Sequence, residues 1–230
     1  MNTHPLRRSL ALSLPLLATA LLTGCALAQR PGPWRALFDG HDTSAWRTFG
    51  GKDFPKTGWS VADGCLHLAP GGQGGDLVTR ETFDNYEFEW DWKIKPKGNN
   101  GIKYLVSEDR PNTPGPEYQM IDDAIMSDPL HQTASFYEVL PPQVKTPPKP
   151  PGEWNRSRLL VRGNHVEHWL NGVKVLAYEL GSPEVKAGVA KSKFRNVPNF
   201  DQKIRGYILL TNHNDETWYR NLRLRELPAP

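Results

Sequence analysis

The stretch Gly163–Val175, GNHVEHWLNGVKV, decides how the fold is read. It contains H-x-x-H with a glutamate inside, which invites a metal site. A zincin pair needs two histidines four apart on a helix, so that both rings face one ion. Here His165 and His168 are three apart. Val166, His168 and Leu170 alternate with His165, Glu167 and Trp169, which is the period of a strand. On a strand the two histidines point to opposite faces. Asn171-Gly172 then precedes Val173-Lys174-Val175, and Asn-Gly between two such runs marks a type I′ hairpin, whose central residues both need positive φ. The stretch predicts a hairpin and no metal site.

The same period recurs outward from it. In NYEFEWDWKIKP, Tyr86, Phe88, Trp90, Trp92 and Ile94 share one face, and Glu87, Glu89, Asp91 and Lys93 the other. GWSVADGCLHLA reads as strand, Asp-Gly turn and strand. NNGIKYLVS, PEYQMID, ASFYEVL, GYILLTNH and TWYRNLRLREL follow the same rule. Glycine and proline supply 41 of 230 residues, and almost no segment has helical periodicity. Many short strands separated by turn signals predict an all-β sandwich or barrel. GSPEVKAGVAKSKF offers one short helix, around Pro183 to Ala187.

At the N-terminus, Arg7-Arg8 precedes an apolar run, Leu10–Leu22. It is too short to span a membrane and suits the core of a signal peptide. The run ends in LLTGC, which resembles the lipobox of bacterial lipoproteins. That resemblance implies cleavage before Cys25 and lipid on Cys25; Ala26-Leu27-Ala28 offers ordinary cleavage instead. Both readings send the chain out of the cytoplasm. The expected organisation is a signal peptide over 1–24, a tether over 25–35 and one β-sandwich over 36–230, periplasmic or outer-membrane associated, touching the membrane through its lipid alone. Residues 1–24 carry two of the 28 basic residues and none of the 25 acids, so the remainder has a formal charge of +1. That balance gives no reason to expect a nucleic-acid partner. The only other cysteine, Cys65, reads as a small buried residue.

Two long connections, Ser107–Pro116 and the proline-rich Pro141–Trp154, bracket EYQMIDD and SFYEVL, and loops of this length often carry function. Within the bracket, Glu117 and Gln119 share one strand face while Tyr118 and Met120 take the other. Lys103 sits mid-strand opposite Ile102 and Tyr104, as a base, an oxyanion partner or a solvated lysine. His213 ends an apolar strand among Asn212, Asn214 and Asp215, as an acid/base or a turn residue. The row Glu87, Glu89, Asp91 has a spacing of about 7 Å between same-face neighbours, which does not exclude paired glycosidase carboxylates; interleaved lysines make it read as a solvated face. There is no P-loop, Rossmann fingerprint or G-x-S-x-G. A polar face rich in aromatics, in a chain with eight tryptophans, suits carbohydrate, whose hydroxyls meet polar groups and whose C–H faces meet rings.

An ordered set of segments carries a resemblance: ALFDGHDTSAWR, GWSVADGCL, NNGIKYLV, GPEYQMIDD, PPGEWNRSRLLVRGNHVEHWLNGVKV, VAKSKF and GYILLTNHNDETWYRNLRLREL. Together, over about Ala36 to Leu227, they resemble the 3-keto-disaccharide hydrolase family. The resemblance implies a concanavalin/laminin-G-like jelly-roll β-sandwich of two antiparallel sheets. It implies export, cleavage of glycosides already oxidised to a ketone at C3, and a sugar C3-dehydrogenase as functional partner. Such a ketone acidifies the hydrogen on C2, so a base can remove it and the C1 substituent can leave; adding water back completes a net hydrolysis. The route needs a base and a donor for the enolate oxygen. Glu117 or His213 would be the base, and Lys103 would meet the oxygen, or a divalent metal held by His213 with Glu117 or Asp122. Gln119, Asp122, Tyr137, Lys193 and Trp154 complete the candidate substrate contacts. Where relatives commonly read QDHGD, this chain reads TNHND, Thr211–Asp215: the histidine is kept and the glycine is not. The alternative of another class is a non-catalytic carbohydrate-binding, lectin-like module on the same fold.

Overall fold

The structure is a computed structural model that describes Met1 and residues 30–110, 112 and 114–230. Cys25 and the proposed signal peptide, apart from Met1, lie outside the described residues. Along the chain the first strands are β1 (Arg35–Phe38), β2 (Trp46–Thr48), β3 (Trp59–Ala62), β4 (Cys65–Leu68), β5 (Leu77–Thr79), β6 (Tyr86–Ile94), β7 (Asn99–Val106) and β8 (Glu117–Ile121). Then come β9 (Asn155–Arg162), β10 (His165–Leu170), β11 (Val173–Glu179), the helix α1 (Pro183–Lys191), β12 (Tyr207–Leu210) and β13 (Thr217–Glu226). They form a jelly-roll sandwich of two antiparallel sheets. Among the described residues, the larger sheet runs β11-β10-β9-β6-β13-β4-β3, with β1 also on β13, and the smaller runs β2-β5-β12-β7-β8.

The strand β6 shows why the sheets pack. Its Tyr86, Phe88, Trp90, Trp92 and Ile94 are buried against the smaller sheet. Trp90 meets the edge of the Tyr118 ring at 5.0 Å and donates its Nε1–H to Met120 Sδ. The opposite face carries the acids, and cross-strand arginines neutralise them. Glu87 pairs with Arg225 and Arg158, Glu89 with Arg223 at 2.6 Å and Arg156 at 2.5 Å, and Asp91 with Arg220 at 3.3 Å. These carboxylates are occupied by structural partners.

The opening stretch forms the hairpin β10–β11. Asn171 (φ 49°) and Gly172 (φ 87°) both adopt the left-handed conformation that the turn requires. His165 faces outward to Glu179 at 2.6 Å, while His168 is fully buried on the other side. The helix α1 extends to Lys191, beyond the expected Ala187. Ser182 caps its start, accepting from the Val185 N–H, and Pro183 takes the first turn, where no N–H is needed. Contact with the sandwich begins inside the segment 25–35: the Gly32 N–H donates to the Glu226 carbonyl at 2.8 Å, and Trp34 lies beneath Arg223 and Arg225.

Candidate functional site

The outer face of the smaller sheet is built by β7 and β8. The antiparallel register sets Lys103 against Glu117 and Gly101 against Gln119, so these side chains look the same way. Residues 133–137 continue the sheet past β8. The Tyr137 N–H donates to the Glu117 carbonyl at 3.1 Å, the Gln119 N–H to the Ser135 carbonyl at 3.3 Å, and Phe136 bridges Tyr118. The result is a row of three side chains across three adjacent backbone segments: Lys103, Glu117 and Tyr137. A cavity of about 470 Å³ opens over this row, lined also by Gln119, Asn99, Asn112, Lys193, Phe194 and His213.

Glu117 is 5% exposed, and its Oε1 has no hydrogen-bond partner among the described residues. Neither Glu117 nor Lys103 takes part in any ion pair among the described residues. The carboxylate lies over bare backbone, because a Cβ on Gly101 would stand 2.0 Å from Glu117 Oε1. Gln119 donates its amide to Asn99 Oδ1 at 3.1 Å, and its Oε1 is buried without a partner. His213 Nδ1 is likewise unpaired. Buried polar atoms are normally satisfied. Three buried polar atoms without a partner among the described residues therefore border one cavity, whose lining fits a polar, hydroxyl-bearing ligand; Glu117, Gln119 and His213 are also the side chains that could hold a divalent cation.

His213 is placed by the β12–β13 connection. The Asn212 N–H donates to Asp76 Oδ1 at 2.7 Å, and Asp215 Oδ2 accepts from the Asn99 N–H at 2.8 Å. Asn214 sits at φ 72°, where the relatives' motif has glycine. Asparagine tolerates that conformation better than other side-chain-bearing residues, so the loop forms without the glycine. At the other wall, α1 delivers Lys193 and Phe194. Lys193 Nζ stands 4.3 Å from the centre of the Tyr137 ring and 4.0 Å from Glu138 Oε1. His131 packs on the same ring at 5.0 Å and contacts Glu138 Oε1 at 3.1 Å. Burial, with the charges of Glu138 and Glu117, holds the Tyr137 phenol above the usual tyrosine range.

Of the residues expected from sequence, Lys103, Glu117, Gln119, Tyr137, Lys193 and His213 line this cavity together. Two do not join them. Asp122 turns away to accept the backbone N–H groups of Lys97 at 2.8 Å and Ala124 at 3.1 Å, which caps a short 3₁₀ turn. Trp154 lies on the outer face of the larger sheet, under Arg220 at 4.0 Å and Lys93 at 5.1 Å. A metal shared by His213 and Asp122 therefore has no geometric basis. Asn99, Asn112, Phe194 and Gly101 are additions to the expected set. Asn99 and Gly101 were within reach of the sequence, since they share a period-2 face with Lys103. Asn112 and Phe194 sit in connections that carry no periodicity.

Comparison with known proteins adds three findings. The sequence model of the 3-keto-alpha-glucoside-1,2-lyase-like domain matches residues 33–225. A protein of Bacteroides thetaiotaomicron named 3-keto-disaccharide hydrolase is 31% identical over 226 residues, covering 83% of this chain and 77% of that protein. A crystal structure of a candidate glycosyl hydrolase from Parabacteroides distasonis superposes with a TM-score of 0.75 at 31% identity, covering 85% of this chain and 94% of that one.

Proposed function

Because the chain belongs to the family of the 3-keto-alpha-glucoside-1,2-lyase-like domain, we propose that it is an exported enzyme that cleaves 3-keto-glycosides, with 3-keto-disaccharides as its substrate class. The observation that carries the reading is the buried Glu117 carboxylate, directly across the ladder from Lys103, with neither in an ion pair among the described residues. A buried charge without a partner is costly. A lectin-like module gains nothing from it, because neutral amides and hydroxyls suffice to hold a sugar. Ketone chemistry does require it: a base for the C2 hydrogen beside a cation for the enolate oxygen.

Glu117 takes the proton from C2, and the electron pair moves onto the C3 oxygen. The Lys103 ammonium meets that charge where it develops, which lowers the barrier most effectively in a site prepared in advance. The enolate then re-forms the ketone and expels the C1 substituent. Water adds to C1, and C2 recovers its proton from Glu117. Glu117, Gln119 and His213 also offer the donors for a divalent cation, whose contribution would be further positive charge near the ketone.

The test is to incubate the purified protein with 3-keto-glucosides and the matching glucosides side by side. Release of the aglycone from the ketones alone is expected. Equal release from unoxidised glucosides would point to an ordinary glycosidase. A 3-keto-glycoside arises by oxidation of a C3 hydroxyl, so a sugar C3-dehydrogenase is the functional partner. For location, Gly24-Cys25 at the end of the apolar run supports a lipid anchor. Cys25→Ser should move the protein out of the membrane fraction or leave the signal uncleaved. Normal processing with an unchanged membrane fraction counts against the anchor.

A further inference from the structure

We propose that Tyr137 is the general acid that protonates the departing glycosidic oxygen, and the base that later activates water at C1. The proposal rests on the reading of Glu117 and Lys103 given above. It comes from the order of the row. Lys103 pairs with Glu117 in the β7–β8 register, and Tyr137 is hydrogen-bonded through its backbone to the other side of Glu117. Adjacent segments of a sheet stand about 4.8 Å apart, so the row carries a cation, a carboxylate and a phenol in that order on evenly spaced backbones along one face. The substrate has the same order. C3 carries the ketone oxygen, C2 the acidic hydrogen, and C1 the leaving oxygen. A sugar placed with C3 toward Lys103 and C2 over Glu117 brings its C1 substituent to Tyr137.

The surroundings suit the phenol to that task. Lys193 and His131 pack on the ring and hold it in place. Burial and the neighbouring carboxylates keep the hydroxyl protonated and ready to donate. A departing sugar alkoxide is a far stronger base than a phenolate, so the transfer runs downhill. The Lys193 ammonium, 4.3 Å from the ring centre, offsets the phenolate charge that forms.

The step balances. As the enolate collapses, C3=O re-forms, C1=C2 forms and the C1–O1 bond breaks, with its pair going to O1. O1 takes the hydroxyl proton of Tyr137. In the second half, water attacks C1 and gives its proton to the Tyr137 phenolate. The C1=C2 pair passes through the enolate to C2, which takes the proton held by Glu117. Both side chains return to their starting forms.

Leaving-group dependence tests the assignment. Tyr137→Phe keeps the ring between Lys193 and His131 and removes only the hydroxyl, and with it both the acid and the later base. On methyl 3-keto-glucoside its turnover should fall by roughly 10²–10⁴. On 4-nitrophenyl 3-keto-glucoside, whose leaving group needs no proton, release of 4-nitrophenol in the first turnover should stay within about tenfold, because general acid assistance is then superfluous and water has not yet entered the reaction. In deuterated water the variant should still exchange the C2 hydrogen of the methyl glycoside, returning labelled, uncleaved substrate. Equal losses on both glycosides, or loss of C2 exchange, would make Tyr137 a sugar-positioning residue and overturn the proposal. Undiminished cleavage of the methyl glycoside would overturn it too. Failure of the wider reading looks different: Glu117→Gln would keep C2 exchange, or the unaltered enzyme would cleave neither ketone.

Discussion

At Glu117 the fold accepts an unfavourable local state, a carboxylate removed from water and given no partner among the described residues. Glu117→Gln should lower turnover of a 3-keto-glycoside by roughly 10²–10⁴. The melting temperature should hold or rise, because the substitution removes an uncompensated charge. A drop in melting temperature that accounts for the lost activity would argue against the base. Gly101 is the neighbour that makes the placement possible. Its φ is not left-handed, so the glycine is there for space: a Cβ would stand 2.0 Å from Glu117 Oε1. Gly101→Ala should push the carboxylate aside, and a displacement of about 1 Å can cost roughly 10²-fold in rate. Steady-state kinetics with circular dichroism as a folding control measures this. Glu89→Gln supplies the contrast. Its carboxylate is held by Arg156 and Arg223 on the outer face of the other sheet, so its loss should leave turnover unchanged.

The hairpin β10–β11 is the clearest element, and its turn can be tested alone. No atom lies within 4 Å of a Cβ built on Gly172, so the only obstacle to a side chain there is the φ of 87°. Gly172→Val should cost roughly 1–2 kcal/mol, the penalty of a left-handed conformation for a residue with a Cβ. A shift in the urea midpoint with the slope unchanged reads that out; an unchanged midpoint would mean that the turn tolerates valine. The strands β6, β7, β8 and β10 were legible because each has one largely apolar and one polar face. The three-residue strands β2 and β5 were not, since three residues are too few to show a period. ASFYEVL reads as a further strand, but the structure gives only isolated bridges there, Phe136 to Tyr118 and to Leu140, because the left-handed Ala134 (φ 66°) and Glu138 (φ 69°) interrupt the extended backbone.

Across the whole molecule, a buried polar chain joins the two sheets and the loop that carries Tyr137. His168 Nδ1–H donates to the Ala134 carbonyl at 2.9 Å, so Nε2 accepts from the Tyr104 hydroxyl at 3.0 Å, and Tyr104 in turn accepts from Tyr178. Burial lowers the His168 pKa from 6.5 to about 4. The unfolded chain therefore takes up a proton near pH 6.5 that the folded chain refuses until about pH 4. Stability from this group is complete above pH 6.5 and declines as pH falls toward 4, by about 3 kcal/mol in all. Thermal melts between pH 7 and 4 should show the decline. His168→Gln should be less stable at pH 7 and should flatten the slope over that interval. An equal slope in the variant would assign the acid sensitivity to other groups.

The sequence by itself determined the strand faces, the hairpin and the polar sides of β7 and β8, because alternation along a strand is local and each residue's face follows from its neighbours. It also determined the family, through an ordered set of motifs. Which polar residues meet was decided by tertiary structure alone. Asp122 and Trp154 looked as eligible as Tyr137 and Lys193, yet one caps a turn and the other packs on the far sheet. Convergence on a cavity depends on register between strands distant in sequence and on the path of loops without periodicity. The row Lys103–Glu117–Tyr137 therefore exists only once β7, β8 and residues 133–137 have paired, for the hydrogen bonds that align them join residues no single local pattern connects.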